Sequence, residues 1–379
     1  MNFREKIFLL IACFLLPSVS FAQNSPINIG TMAVPFLRIS PDARAGGMGE
    51  AGIATAPDAN SPFWNIAKAP FAEANSGISV NYNPWLRSIS KDVYLGSLSG
   101  YVKLKNDQAL SASLRYFSLG DIPFTDIQGK PLESYQPREF AFDIGYSKKL
   151  SQRLALGIAF RYINSNLASA TSDQNFKSGN AFAADISLFY SGLDNDGQGF
   201  SYGFTASNLG TKIGYTNNSS ENEFIPANLG VGTSYTSVLD EKSKLSFALD
   251  LNKLLVPNIN FSGNAKEDST NVAQYRGYSV LESWFKPNNS YSGSLGIEYG
   301  YDELFFLRTG FYYETRNGGG GDRNYLTTGL GVNYENFGLN FAYLIPTSKI
   351  INGVNPLANT LRLNLVFNLN KSAVKSESK

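Results

Sequence analysis

The chain has 379 residues, with 35 Gly, 27 Phe, 21 Tyr, no His and a formal net charge of +1. Without histidine the commonest general base and metal ligand are missing, which argues against hydrolytic triads and zinc sites, and the near-neutral charge gives no electrostatic reason to expect nucleic acid. A mean hydropathy of −0.17 is odd for a helical membrane protein but expected of a barrel, where only alternate residues meet lipid.

Arg4 and Lys6 precede an apolar run from Ile7 to Leu16, followed by Pro17 and a small-x-small site at Ser20, Phe21 and Ala22. This reads as an export signal over residues 1–22, cut after Ala22. The run is too short to cross a bilayer as a helix, which takes roughly 20 apolar residues, and no later stretch is long and apolar enough. Cys13, the only cysteine, lies inside the signal, so the mature chain is expected to have neither a disulfide nor a lipid-carrying cysteine.

Residues 23–76 lack sustained alternation and are studded with Pro and Gly, which suggests a plug or periplasmic cap. Within them, Gly47-Met48-Gly49-Glu50-Ala51-Gly52 matches the dinucleotide fingerprint. That fingerprint needs a strand before it and a helix after it, whereas Pro35 and Pro41 precede this one and Pro57 and Pro62 follow. These glycines are expected instead to let backbone pass close to other chain inside a barrel.

From residue 77 to 370 short segments alternate apolar and polar, the pattern of strands with one face in lipid and the other toward a polar lumen. In the last, Leu361, Leu363, Leu365, Phe367 and Leu369 share a face opposite Arg362, Asn364, Asn368 and Asn370, and only Val366 breaks the rule. About 14 segments begin near Ile78, Asp92, Ala109, Arg138, Leu154, Ala181, Gly199, Ile225, Lys244, Tyr291, Leu304, Tyr325, Leu339 and Thr360. The predicted fold is all-β: a transmembrane antiparallel β-barrel with an N-terminal plug or cap.

Connections alternate too. Turns at 105–108, 147–153, 240–243, 301–303 and 335–337 are tight, and that at 194–198 is somewhat longer. Those at 120–137, 165–179, 211–224, 256–290, 316–324 and 346–359 are longer. Such alternation places the tight turns in the periplasm and the long loops outside, and predicts both chain ends on the periplasmic side. The charged, polar tail 371–379 is expected to be disordered.

Aromatic residues near segment ends, among them Tyr82, Trp85, Tyr116, Tyr146, Tyr313 and Tyr334, fit girdles at the headgroup level. Inward faces carry small residues, such as Gly145, Gly157, Gly230, Gly232, Gly329 and Gly331, leaving room for a segment of chain or a ligand. They also carry Arg115, Asp143, Arg161, Asp185, Asp250, Glu298, Arg308, Glu335 and Arg362, opposite charges expected to pair between neighbouring strands. Gly318 to Gly321 lacks the Lys-Ser/Thr pair of a phosphate loop, and the acidic turn at 194–197 lacks the closing Glu of a calcium loop. In the longest loop, Val280, Leu281, Trp284 and Phe285 form the candidate partner-binding element, since exposed apolar loop residues mark a partner or membrane contact. No nucleophile–base or carboxylate pair argues for catalysis; no catalytic residue, cofactor or metal is expected.

The stretch Phe36-Leu37-Arg38-Ile39-Ser40-Pro41-Asp42-Ala43-Arg44-Ala45-Gly46-Gly47-Met48-Gly49-Glu50-Ala51-Gly52, leading to Ser61-Pro62-Phe63-Trp64-Asn65, closely resembles the PorV family of outer-membrane proteins from the Bacteroidetes type IX secretion system. Similar elements occur in the wider FadL-like group of 14-stranded barrels, where Asn-Pro-Ala stands in place of Asn65-Ile66-Ala67. The matching positions are Asp42, Arg44, Gly46, Gly47, Met48, Gly49 and Asn65. The resemblance implies an outer-membrane, non-enzymatic protein with three kinds of partner besides lipid. It would dock on the large translocon barrel, bind the C-terminal signal domains of secreted cargo, and pass cargo to the sortase of the attachment complex. The alternative is a FadL-like channel for uptake of hydrophobic small molecules, which needs an apolar pocket and a sideways gap in the wall.

Overall fold

The computed structural model describes residues 32–84, 92–105, 107–125, 130–167, 176–259, 261–286, 288, 290–315, 323–347 and 360–371. The expected export signal over residues 1–22, Trp85, the Gly318–Gly321 run and the tail after Lys371 fall outside them.

The strands are β1 (Ala74–Pro84), β2 (Val93–Lys105), β3 (Gln108–Leu119), β4 (Ile122–Thr125), β5 (Pro131–Tyr135), β6 (Arg138–Lys149), β7 (Leu154–Asn166), β8 (Gly179–Ser191), β9 (Gly199–Gly210), β10 (Asn228–Val238), β11 (Ser243–Leu254), β12 (Tyr291–Tyr301), β13 (Phe305–Glu314), β14 (Tyr325–Tyr334), β15 (Phe337–Pro346) and β16 (Leu361–Lys371). Among the described residues, all but β4 and β5 close into one barrel of fourteen strands, and β4–β5 form a separate hairpin in the long connection after β3. Neighbours pair antiparallel, and β1 closes the ring on β16 with Ala74 opposite Lys371. Closure leaves no strand edge unpaired, which lipid would penalise heavily.

Period-2 alternation sets which face meets lipid. Phe142, Ile144 and Tyr146 on β6 point outward and are exposed, while Glu139, Ala141 and Asp143 on the opposite face are buried in the lumen. Leu326, Leu330, Val332 and Tyr334 repeat this on β14. The exception at Val366 has a reason: it points inward and packs with Ala59, Ala69, Ala72, Tyr101 and Ala109, an apolar contact with the plug. Glu335 departs from expectation. It is exposed in the tight turn after β14 at φ 51°, outside the lumen, because the strand ends one residue earlier than its alternation suggested.

The lumen is filled by residues 32–73, in short helical pieces at Pro35–Arg38, Ala43–Gly47, Ser61–Trp64 and Ile66–Phe71. Phe36 and Leu37 pack against Leu95, Phe117, Ile163 and Leu344 near the long-loop ends of the wall. Phe71 reaches Phe189 at the tight-turn end. The plug therefore runs the length of the barrel before entering β1. Its first described residues lie at the long-loop rim, where the Ala33 N–H donates to the Phe224 carbonyl; the chain start expected on the tight-turn side lies outside the described residues. Lys371, paired with Ala74, does lie on that side.

Candidate functional site

The family-like positions turn out to build the plug. Asp42 caps the helix Ala43–Gly47, its carboxylate accepting the Ala45 N–H at 2.7 Å and the Trp64 indole N–H at 2.5 Å. Arg44 reaches the wall: Nε and Nη2 donate to the two carboxylate oxygens of Glu298 at 3.0 and 2.8 Å, while Nη1 donates to Asp58 at 3.1 Å. The fork matches a carboxylate bidentately, a match lysine cannot make. Asn65 ties plug to wall by donating to the carbonyls of Ile53 and Leu188, and caps the next helix by accepting the Ala67 N–H.

The glycines serve close approach. A Cβ on Gly47 would sit 3.0 Å from the Gly329 Cα. Gly49 adopts φ +65°, and a Cβ there would lie 2.6 Å from the Leu295 carbonyl and the Phe311 backbone. Gly46 packs on the Arg362 side chain, and Met48 is buried against Ala248. The wall reciprocates. Ile66 enters a dent made by Gly145 and Gly157, and Ile53 one made by Gly203, Gly230 and Gly232. The small inward residues thus make room for chain.

Inward charges pair between neighbouring strands as expected, through Arg115–Asp143, Arg161–Asp185 and Arg308–Glu298. A second set crosses from plug to wall. Arg362 pairs with Glu50 at 2.6 Å, Arg38 pairs with Glu314, and the Asp250 carboxylate accepts the N–H groups of Gly52 and Ile53 at 2.7 and 2.9 Å. Nothing local in the sequence marks these contacts, which join residues more than 190 positions apart. Below the plug, a vestibule of about 660 Å³ at the tight-turn end is lined by Arg44, Asp58, Lys242, Glu298 and Asp302.

Over the outer mouth, the longest connection forms two helices, Ala265–Gly277 and Val280–Phe285, rather than a plain loop. Their caps were readable: Asn264 accepts from the Lys266 and Glu267 N–H groups, and Ser279 from Glu282, a capping-box spacing. Tyr275 packs on Phe224 and Val256, Arg276 donates to Glu223 at 2.7 Å, and Lys212 donates to the Arg276 carbonyl at 2.7 Å over the Phe224 ring. Burial lowers the Lys212 pKa, opposed by Glu223. Of the candidate partner residues, Phe285 is 85% and Leu281 65% exposed, while Val280 and Trp284 are half-buried. The structure thus separates the two sets: the motif residues face the lumen, the apolar pair the exterior.

Among described residues no group of three or more His, Cys, Asp or Glu is arranged to hold a metal, and the acidic turn closes on itself, the Asp194 carboxylate accepting the Asp196 and Gln198 N–H groups.

The family described as "Type IX secretion system protein PorV" matches residues 21–260. No curated protein matches the sequence. Among solved structures, a TodX mutant monoaromatic hydrocarbon channel superposes with a TM-score of 0.53 at 12% identity, covering 86% of this chain and 99% of that one. The CymD monoaromatic hydrocarbon channel gives 0.50 at 12% identity over 90% and 99%. At such identity these likenesses speak for the fold, a FadL-like outer-membrane barrel.

Proposed function

The chain belongs to the PorV family of type IX secretion system proteins, and from that premise we propose that this outer-membrane barrel serves secretion through its outer surface, without catalysing a reaction. It docks on the translocon barrel, binds the C-terminal signal domains of cargo, and hands cargo to the surface-attachment sortase. The observation that carries the reading beyond family membership is the plug. Arg44, Glu50, Asn65 and the Asp250 carboxylate tie it to the wall along the lumen, which favours work on the rim over passage through the barrel. The exposed Leu281 and Phe285 on the capped outer rim supply the apolar contact that recognition of another protein uses.

The uptake-channel alternative draws on the FadL-like fold, shared with the TodX and CymD hydrocarbon channels. Against it, the inward wall carries buried ion pairs and polar side chains, and its apolar residues near the long-loop ends, such as Leu95, Phe117, Ile163 and Leu344, are already packed against Phe36 and Leu37 of the plug.

The test is gentle-detergent purification of the tagged protein from its native outer membrane, with mass spectrometry of what accompanies it. A very large barrel together with secreted proteins sharing a C-terminal domain is the expected result. Isolation of the protein alone, carrying bound hydrophobic ligand, would transfer the reading to uptake.

A further inference from the structure

The vestibule below the plug has no part in the reading above. Its volume of about 660 Å³ falls within the ~300–1,000 Å³ of small-molecule sites. Residues of the turns 194–198, 240–243 and 301–303 frame it, among them Gly197, Lys242 and Asp302, so it opens toward the periplasm. Its charged side chains are engaged with one another or with water. Arg44 holds Asp58 and Glu298, Arg308 holds Glu298, Lys242 holds Asp302 and Lys244 holds Glu303. Glu73 and Glu241 are exposed, and Glu73 has an interaction of its own. Among the described lining residues no buried charge lacks a partner, so the vestibule does not select a charged ligand.

What it leaves open are neutral groups. Ser201 is only 4% exposed, yet it lines the vestibule and its hydroxyl has no hydrogen-bond partner among the described residues. A buried hydroxyl without a partner is unfavourable. Ser191, Asn333 and Asn368 line the same space, half-buried, their side chains likewise without a partner among the described residues. Two of the four stand on β8 and β9 and two on β14 and β16, opposite arcs of the ring. The half-buried rings of Phe71 and Phe306 contribute apolar surface to the lining. Hydroxyls and primary amides both donate and accept. A neutral sugar matches this lining with a rim of hydroxyls that do the same and with C–H ring faces that lie on aromatic surface. An extended peptide matches it less well, since it offers one backbone donor and one acceptor per residue.

We propose that the vestibule binds a neutral oligosaccharide, which enters from the tight-turn side and spans from Ser191 and Ser201 to Asn333 and Asn368. The sugar is either a chain of N-acetylated amino sugars, as in cell-wall glycan, or a free oligosaccharide bearing hydroxyls alone. The inference is independent of the secretion reading, which rests on the opposite rim.

The full-length protein, in a zwitterionic detergent without a sugar headgroup, is titrated with triacetylchitotriose, maltotriose and triserine, following heat and ligand-observed saturation-transfer NMR. Saturable binding of a trisaccharide is expected. Asn333→Ala and Asn368→Ala each weaken it about two- to tenfold, the effect of losing a neutral hydrogen bond. Ser191→Phe, which occupies the vestibule with both amides in place, weakens it about tenfold or more, and circular dichroism verifies the barrel in all three. Tighter binding of triacetylchitotriose than of maltotriose assigns an amino-sugar chain, and equal or weaker binding assigns an oligosaccharide of hydroxyls alone. Absence of saturable binding by both sugars, tighter binding of triserine than of either, or affinity that Ser191→Phe or both amide variants leave unchanged overturns the proposal.

Discussion

Arg44 of the plug and Glu298 of β12 are joined by two nearly parallel hydrogen bonds of 3.0 and 2.8 Å, and Arg308 from the neighbouring strand donates to the same carboxylate at 2.6 Å. One wall residue thus serves both as a cross-strand partner and as the anchor of the segment that fills the lumen.

Removing that anchor tests whether the plug is held by charge. Glu298→Ala leaves the buried Arg308 guanidinium without its carboxylate and Arg44 with Asp58 alone, at a cost of about 3–5 kcal/mol. Planar-bilayer recordings are expected to be silent for the natural protein and to show conducting events for the variant. A variant as silent as the parent would mean that apolar packing alone seats the plug.

Gly49 and Gly197 separate backbone strain from crowding. Both have positive φ, +65° and +82°, but a Cβ on Gly49 meets backbone at 2.6 Å while Gly197 has nothing within 4 Å. Gly197→Ala is expected to cost about 1 kcal/mol and Gly49→Ala clearly more, read as urea unfolding midpoints in lipid vesicles. Equal shifts would refute the close-approach account of the motif.

Ile66 and Gly145 form a knob and its socket, with a Gly145 Cβ placed only 2.1 Å from the Ile66 Cδ1. Ile66→Ala is expected to lower stability by about 2–5 kcal/mol. Gly145→Ala also destabilises on its own, but less in the Ile66→Ala background, a coupling of about 0.5–3 kcal/mol in a double-mutant cycle. Simple additivity would show that the two do not interlock.

Leu281 and Phe285 are the exposed apolar pair of the outer cap. Changing both to Ser is expected to leave barrel levels and unfolding midpoint within about 0.5 kcal/mol, as exposed substitutions do, while reducing the secreted protein recovered with the tagged barrel several-fold. Undiminished recovery at equal barrel levels would move the cargo contact elsewhere on the rim.

The tether of that cap makes a milder prediction. Arg276 and Glu223 are partly exposed, so Glu223→Gln is expected to change global stability by at most about 1 kcal/mol. Backbone hydrogen exchange in Ala265–Gly277 should nevertheless rise, because the tether holds that helix to the 211–227 connection. Unchanged exchange there would assign the docking of the helix to Tyr275 and its apolar neighbours.

The barrel itself was legible residue by residue. Its alternation is a period-2 property of each segment, so Phe142, Ile144 and Tyr146 show their lipid face without knowledge of β3 or β7, and the short and long connections order the rims. The plug was legible only as a lack of pattern. Its helices span four to six residues, too short to display a helical period, and what seats them are partners such as Glu298 for Arg44 and Gly145 for Ile66. Those pairings arise only when the sheet closes and brings distant strands around one chain. The sequence by itself therefore determined the wall, through local alternation that lipid enforces. Only the tertiary structure decided that the family motif is the barrel's filling, that the plug's first described residues lie at the outer rim, and that Ser201 and Asn368 line one vestibule, because each depends on side chains meeting across a closed lumen.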